Sequence, residues 1–198
     1  EADSIRASVY RKIIDGIPLK VITRVDIQVG GRAREIDLGQ VVLNNSRPTN
    51  LNTSISAQLN NDGNLKVYTG PGSYRVQFTS IFESDQDSIS VPSKNADFYD
   101  PQEIWVWIPN ESIRSVNLDG LLAIDPNMTS LPSDWGGLTT YQGADNQSLT
   151  FTTTRRGIQE QSPNALNLSR KIWLSLDGQK FRVSDNLRGE RYLFLIFL

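Results

Sequence analysis

An all-β chain, built as an antiparallel β-sandwich or jelly roll and possibly as two packed sub-sandwiches, is what this sequence predicts. Three observations predict it. Apolar residues alternate strictly along several segments, turn-forming pairs recur about every 8–12 residues, and no segment holds a helical period for three turns. The length of 198 residues suits one large all-β domain or two small ones.

Residues Ile5 to Ile14 alternate, with Ile5, Ala7, Val9 and Arg11 on one side. Asp15-Gly16 and Pro18 then mark a turn. From Leu19 to Val29 the positions Leu19, Val21, Thr23, Val25, Ile27 and Val29 recur at period two, which places them on one face of a strand. Lys20, Ile22, Arg24, Asp26 and Gln28 take the other, mostly wet face. Gly30-Gly31 supplies the next turn, and Ala33 to Leu43 carries another strand. Asn44 to Thr53, rich in Asn, Ser and Pro, reads as a loop. Asn61-Asp62-Gly63-Asn64 is a hairpin signal, because such residues tolerate positive φ, and Leu65 to Tyr68 follows as a strand. Gly70-Pro71-Gly72 turns the chain into the alternation of Tyr74, Val76 and Phe78.

Asp85 to Asp100 is polar and irregular apart from Ile89-Ser90-Val91. Ile104 to Ile108 is apolar throughout, the pattern of a strand covered on both faces, with Trp105 and Trp107 sharing one of them in the core. Ile113 to Leu118 alternates, and Asp119-Gly120 leads to a long loop from about Asp125 to Asn146. Leu149 to Arg155 is Thr-rich and strand-forming. A final hairpin joins Ile172–Leu176, with Trp173 read as core, to Phe181–Val183 through Asp177-Gly178. The run Tyr192 to Leu198 reads as a buried strand, too short to span a membrane, and its bare apolar ending suggests a piece of a longer protein. Chain opening Glu1-Ala2-Asp3-Ser4 shows no leader peptide: either there was none or the sequence starts after it. The expected unit is 1–198 as a whole, and the alternative is two small sandwiches, 1–92 and 101–198, joined by 93–100.

Composition removes whole classes of chemistry. There is no Cys and no His, so disulfides, thiolate ligands and the Ser-His-Asp and Cys-His arrangements cannot be built from this segment. No phosphate-cradling glycine loop and no Ser-x-x-Lys pair occurs. Twenty Lys and Arg against 22 Asp and Glu leave a net charge of −2, which argues against a nucleic-acid partner. The acidic run Glu83-Ser84-Asp85-Gln86-Asp87 fails the EF-hand pattern, which would want Gly and Glu where the chain has Ser90 and Ala96. It reads as a solvated loop, with calcium in a sandwich loop as the alternative. No cofactor and no enzymatic activity are expected; a glycosidase-type carboxylate pair ranks third among the readings.

One group of residues invites a ligand. Leu131-Pro132-Ser133-Asp134-Trp135-Gly136-Gly137 sets an aromatic ring on a glycine-rich loop, where it could stack on a sugar or plug the end of a sandwich. The candidate ligand-binding residues are therefore Trp135, Asp134 beside it, and Tyr141 further along the same loop.

Gly70-Pro71-Gly72-Ser73-Tyr74-Arg75-Val76 resembles the entry strand of Ig-like and carboxypeptidase-regulatory-like sandwich domains. That implies a sandwich strand and no activity. A wider likeness runs through Val9-Tyr10-Arg11-Lys12, Asp15-Gly16-Ile17-Pro18-Leu19, Arg34-Glu35-Ile36-Asp37-Leu38-Gly39, Glu103-Ile104-Trp105-Val106-Trp107, Asp125-Pro126, Leu131-Pro132-Ser133-Asp134-Trp135 and Asp177-Gly178. Together these resemble the N-terminal extracytoplasmic region of a family of large, uncharacterised proteobacterial envelope proteins. The resemblance implies a periplasmic location, a longer parent chain and an anchor elsewhere; the lack of Cys is compatible with that compartment. The expectation is thus a non-catalytic β-sandwich module, structural or protein-binding. Its partners would be other domains of the parent or envelope proteins, with no membrane insertion by this segment. A carbohydrate-binding module, with a glycan as partner, is the alternative.

Overall fold

Strands begin wherever the alternation of apolar side chains allows one face to be buried, and the described residues contain fifteen of them. The computed structural model describes residues 2–60, 62–94, 97–157 and 167–188. The chain divides into two compact units, Glu1–Gly157 and Ile158–Leu198.

In the first unit, β1 (Ser4–Ile14), β2 (Lys20–Gly30), β3 (Arg34–Gln40), β4 (Ser46–Thr53), β5 (Ser56–Leu59), β6 (Asn64–Thr69) and β7 (Gly72–Phe82) come first. Then follow β8 (Ser88–Ser90), β9 (Gln102–Ile108), β10 (Arg114–Asp119), β11 (Leu122–Ile124), β12 (Thr139–Ala144) and β13 (Ser148–Arg156). Seven of them form one sheet in the order β11-β12-β9-β1-β2-β7-β4. Two three-stranded sheets, β3-β6-β5 and β10-β13-β8, cover one face of it. The fold is all-β and of sandwich type.

The period-two residues of β1 and β2 face inward as the alternation requires. Ala7, Val9, Val25, Ile27, Val76 and Phe78 of the large sheet pack on Ile36, Leu38, Leu65 and Val67 of the first small sheet. Ile13, Val21, Phe82, Trp105, Trp107 and Tyr141 pack on Ile89, Leu149 and Phe151, from the second small sheet. Trp105 and Trp107 are both in this core, and Trp107 tilts against Phe151 at 5.4 Å between ring centroids. Gly143 on β12 marks the tight approach: a Cβ there would stand 2.7 Å from Val91 Cγ2.

A row of polar residues separates these two apolar clusters. Arg11 and Thr23 pair across β1 and β2, and Glu103 reaches the same level from β9. The Arg11 guanidinium donates to both carboxylate oxygens of Glu103, at 2.6 and 3.1 Å, and also to Thr23 Oγ1 and the Val41 carbonyl. Trp105 Nε1 donates to Glu103 Oε2 at 2.7 Å. Both side chains of the pair are 1% exposed, so their charges survive burial only because these partners replace water. Lys94 stands 4.0 Å from Glu103 and 3.8 Å from Asp145, which extends the polar seam toward a surface cleft.

Three expectations change. β1 and β9 run parallel, Tyr10 beside Ile104 and Ile14 beside Ile108, so the large sheet is mixed rather than wholly antiparallel. Residues 46–53 are an edge strand, not a loop; an edge needs hydrogen bonds on one side only, and Pro48 lies at a register shift where a missing N–H costs least. The long loop is interrupted by β12, which pairs with β9. Residues 98–100 lie along β1: Ala7 N donates to the Phe98 carbonyl and Asp100 N to the Ala7 carbonyl, each at 2.9 Å.

The second unit contains a hairpin of β14 (Asn167–Leu174) and β15 (Phe181–Arg188), turned at Asp177-Gly178. The apolar run from Tyr192 to Leu198 lies outside the described residues.

Removing one partner of the buried pair strands the other. Glu103→Ala should destabilise the first unit by about 3–5 kcal/mol in chemical denaturation, whereas the double change Arg11→Met with Glu103→Leu should recover much of that loss.

Candidate functional site

The outer face of the large sheet carries the even-numbered residues of β1, and they divide it into a covered half and an open half. Residues 125–138 fold over the covered half through two single-turn 3₁₀ helices, Pro126–Met128 and Ser133–Trp135. Asp125 caps the first, accepting from Asn127 N at 2.9 Å. Leu131, Trp135 and Leu138 then pack on Tyr10, Val106, Ile22 and Ile104.

Trp135 is 2% exposed and is the plug of this cover, not a stacking platform. Lys12 Nζ lies 4.6 Å from its ring centroid, a cation–π contact, and burial against the ring pulls the Lys12 ammonium below its ordinary pKa. Asp134 is on the surface with its carboxylate 3.9 Å from Arg24 Nη1. Arg24 forms a two-pronged pair with Asp26, at 2.7 and 2.6 Å, which raises its pKa. Tyr141 does not join them. It projects from β12 into the inner core, beside Trp105 in register, and burial pushes its phenol up. The structure therefore brings Asp134 and Trp135 together as sequence neighbours and leaves Tyr141 on the opposite face of the sheet.

Beyond the cover, the same face holds a recess of about 240 Å³ that sequence reading missed. Three adjacent strands build it. Arg6, Ser8 and Tyr10 come from β1, Gln102 and Ile104 from β9, and Gln142 from β12, with Asp100, Pro101 and Ser130 closing the rim. Parallel pairing sets Tyr10 beside Ile104, and antiparallel pairing sets Gln142 beside Ile104. Arg6 Nε donates to Asp100 Oδ1 at 2.9 Å, Ser8 Oγ donates to Asp100 Oδ2, and the Tyr10 and Ser130 hydroxyls share a 2.9 Å hydrogen bond. Gln142 Nε2 donates to Gln102 Oε1. The polar positions of β1 were legible as one face; their partners, 92 to 120 residues away, were not.

The hairpin of the second unit has an apolar side and a polar side. Register pairs Ile172 with Val183 and Leu174 with Phe181, and Leu168 belongs to the same side. Each of these five described side chains is more than half exposed, Phe181 most at 71%. Arg170 and Asp185 form a two-pronged ion pair among them, at 2.7 and 2.8 Å. Trp173, expected in a core, is 49% exposed on the polar side, opposite Arg182 in register.

Among the described residues no cluster of three metal-ligating side chains occurs. No helix among them is long and apolar enough to cross a membrane.

No family model matches the chain, and no curated protein matches it. Among solved structures, it is similar to a two-domain M1 zinc metallopeptidase mutant bound to L-tryptophan, with a TM-score of 0.39 and 8% identity. A second is an M1 zinc metallopeptidase mutant from Deinococcus radiodurans bound to a Tyr-Ser-Ala substrate, with a TM-score of 0.36 and 10% identity. Each match covers 92% of this chain but 48% and 47% of the other, so the chain spans about half the length of those enzymes. Similarity at this level says nothing about activity.

Two outcomes follow from the site geometry. Trp135→Ala should cost about 3–5 kcal/mol as a large-to-small core change, while Asp134→Ala should stay within about 0.5 kcal/mol, both read by denaturation. In the hairpin, the Arg170 guanidinium holds the Asp185 carboxyl below its ordinary 3.8. A carboxyl depressed on folding contributes stability that is present above the unfolded value and lost as pH falls through the folded one. Hairpin chemical shifts should therefore move toward coil values below about pH 4, and Asp185→Asn should remove that acid limb.

Proposed function

We propose that this chain is a non-catalytic β-sandwich module of a larger bacterial envelope protein, acting outside the cytoplasm through contacts with other protein domains. The single observation that carries the contact role is the apolar side of the β14–β15 hairpin. Five side chains there, Leu168, Ile172, Leu174, Phe181 and Val183, each keep more than half of their surface in water. Full burial of one such side chain contributes about 1.5–3 kcal/mol, so a protein surface laid on this face would gain much more than an average patch offers. The Arg170–Asp185 pair within it supplies a polar register mark for the partner.

The envelope setting is supported by the resemblance of the β1, β3, β9 and 125–135 segments to an envelope-protein family. The non-catalytic reading is supported by the missing His and Cys and by the way Trp135 is consumed in packing. Protein domains suit the hairpin face better than a glycan, because its five apolar side chains offer no hydrogen-bonding groups to hydroxyls.

Site-specific photo-cross-linking in the full-length parent, in its own envelope, tests this. A photoreactive residue at Phe181 should give one discrete adduct, which Ile172→Asp abolishes, while the same probe at Lys171 on the polar side gives none. Equal labelling from both sides, or none from position 181, would contradict the contact role.

A further inference from the structure

The recess on the open half of the large sheet has a chemistry that the hairpin contact does not use. The geometry points to a binding site for a neutral sugar residue, with Arg6, Asp100, Gln102 and Gln142 as its hydrogen-bonding groups. This inference is independent of the protein-contact reading, since it concerns a different surface and a different class of ligand.

Charge is the first argument. The recess carries one guanidinium, Arg6, and one carboxylate, Asp100, already paired at 2.9 Å. A phosphate or carboxylate ligand would meet Asp100, and a cation would meet Arg6, so a ligand without net charge is favoured on both counts. The second argument is the mixture of donors and acceptors. The carboxamide pair uses one donor of Gln142 and the carbonyl oxygen of Gln102. That leaves the Gln102 amide hydrogens as donors and the Gln142 carbonyl oxygen as an acceptor. Vicinal hydroxyls, each able to give and accept, match such an alternation; a purely donating or purely accepting ligand does not.

The third argument is shape. Ile104, Pro101 and Tyr10 add apolar surface to the polar lining of the recess. A pyranose has the same division, with C–H groups on its faces and hydroxyls around its edge. Ligand pockets that engulf drug-sized molecules occupy about 300–1,000 Å³. At about 240 Å³ this recess suits a single ring.

Preorganisation completes the case. Four of the side chains, Arg6, Ser8, Gln102 and Gln142, stand on paired strands rather than on free loops. Asp100 is held by its backbone N–H on the Ala7 carbonyl, and Ser130 by the Tyr10 hydroxyl. Little ordering remains to be done when a ligand arrives.

The test is a titration of the intact chain with D-glucose, D-galactose, D-mannose and N-acetyl-D-glucosamine, followed by amide chemical shifts. A parallel arm presents the same residues as terminal units of immobilised glycans. The proposal expects saturable, millimolar-range shifts centred on residues 6–10, 100–104 and 142 for at least one sugar. Gln142→Ala should weaken binding about tenfold, and Asp100→Asn similarly, with the remaining spectrum of each variant unchanged. Binding to the free sugar identifies a soluble ligand, and binding to the glycan arm alone identifies a polymer end. The proposal is overturned by no saturable shift with any probe in either arm, by shifts centred elsewhere, or by affinity retained in both variants. Tighter binding of the corresponding sugar phosphate would also overturn it, since it would show that Asp100 does not exclude anions.

Discussion

The ion pair between Arg11 and Glu103 is the constraint on which the sandwich depends. β1 and β9 are separated by almost a hundred residues, yet they are neighbours at the centre of one sheet. Parallel pairing offers no hairpin to set its register, so something else must specify which residues meet. A carboxylate and a guanidinium, both buried, do so because any other register would leave two unpaired charges in an apolar interior. The pair also lies between the two apolar clusters, where the small sheets of the second layer give way to one another. Val41 accepts a hydrogen bond from Arg11 there, so the connection leaving β3 is tied to the same point.

Because the inner face is spoken for by packing, function is confined to what lies outside it. On the outer face, the cover formed by residues 125–138 divides the sheet into a sealed half and an open half. Trp135 and Lys12 close the first, and the recess beside Arg6 and Gln142 occupies the second. One side of the hairpin of the second unit is of the opposite character, mostly apolar with one ion pair, Arg170–Asp185, among the apolar side chains. A polar concave site and an apolar face on the same chain favour two kinds of ligand, which is why the proposed sugar and the proposed protein contact fall in different places.

Much of the fold was legible because period-two alternation is a local signal. The inward residues of β2, the tryptophans of β9 and the turns at Gly30-Gly31 and Asp177-Gly178 all follow from neighbours in the chain. What escaped was non-local. An edge strand such as β4 needs no buried face of its own, so its Asn- and Pro-rich sequence looks like loop. β12 is Thr- and Gln-bearing because one of its faces lies partly at the surface, and its strand character is conferred by β9. Trp135 could be read as platform or plug from its loop, and only the cover over Tyr10 and Val106 decides for the plug. Tyr141 looked like a loop residue for the same reason that β12 looked like a loop. The recess had no sequence signature at all, since its residues come from strands brought together by the parallel pairing.

A shared sheet requires β1 and β9 to be parts of one cooperative unit. Native-state hydrogen exchange across a low-denaturant series measures this directly, residue by residue. Amides of β1 from Arg11 to Ile14 and of β9 from Trp105 to Ile108 should exchange with one shared opening free energy, equal to that of β2 and β7. If β9 and β12 instead open together at a markedly lower free energy while β1, β2 and β7 stay protected, the two halves are separate units and the shared-sheet account is wrong.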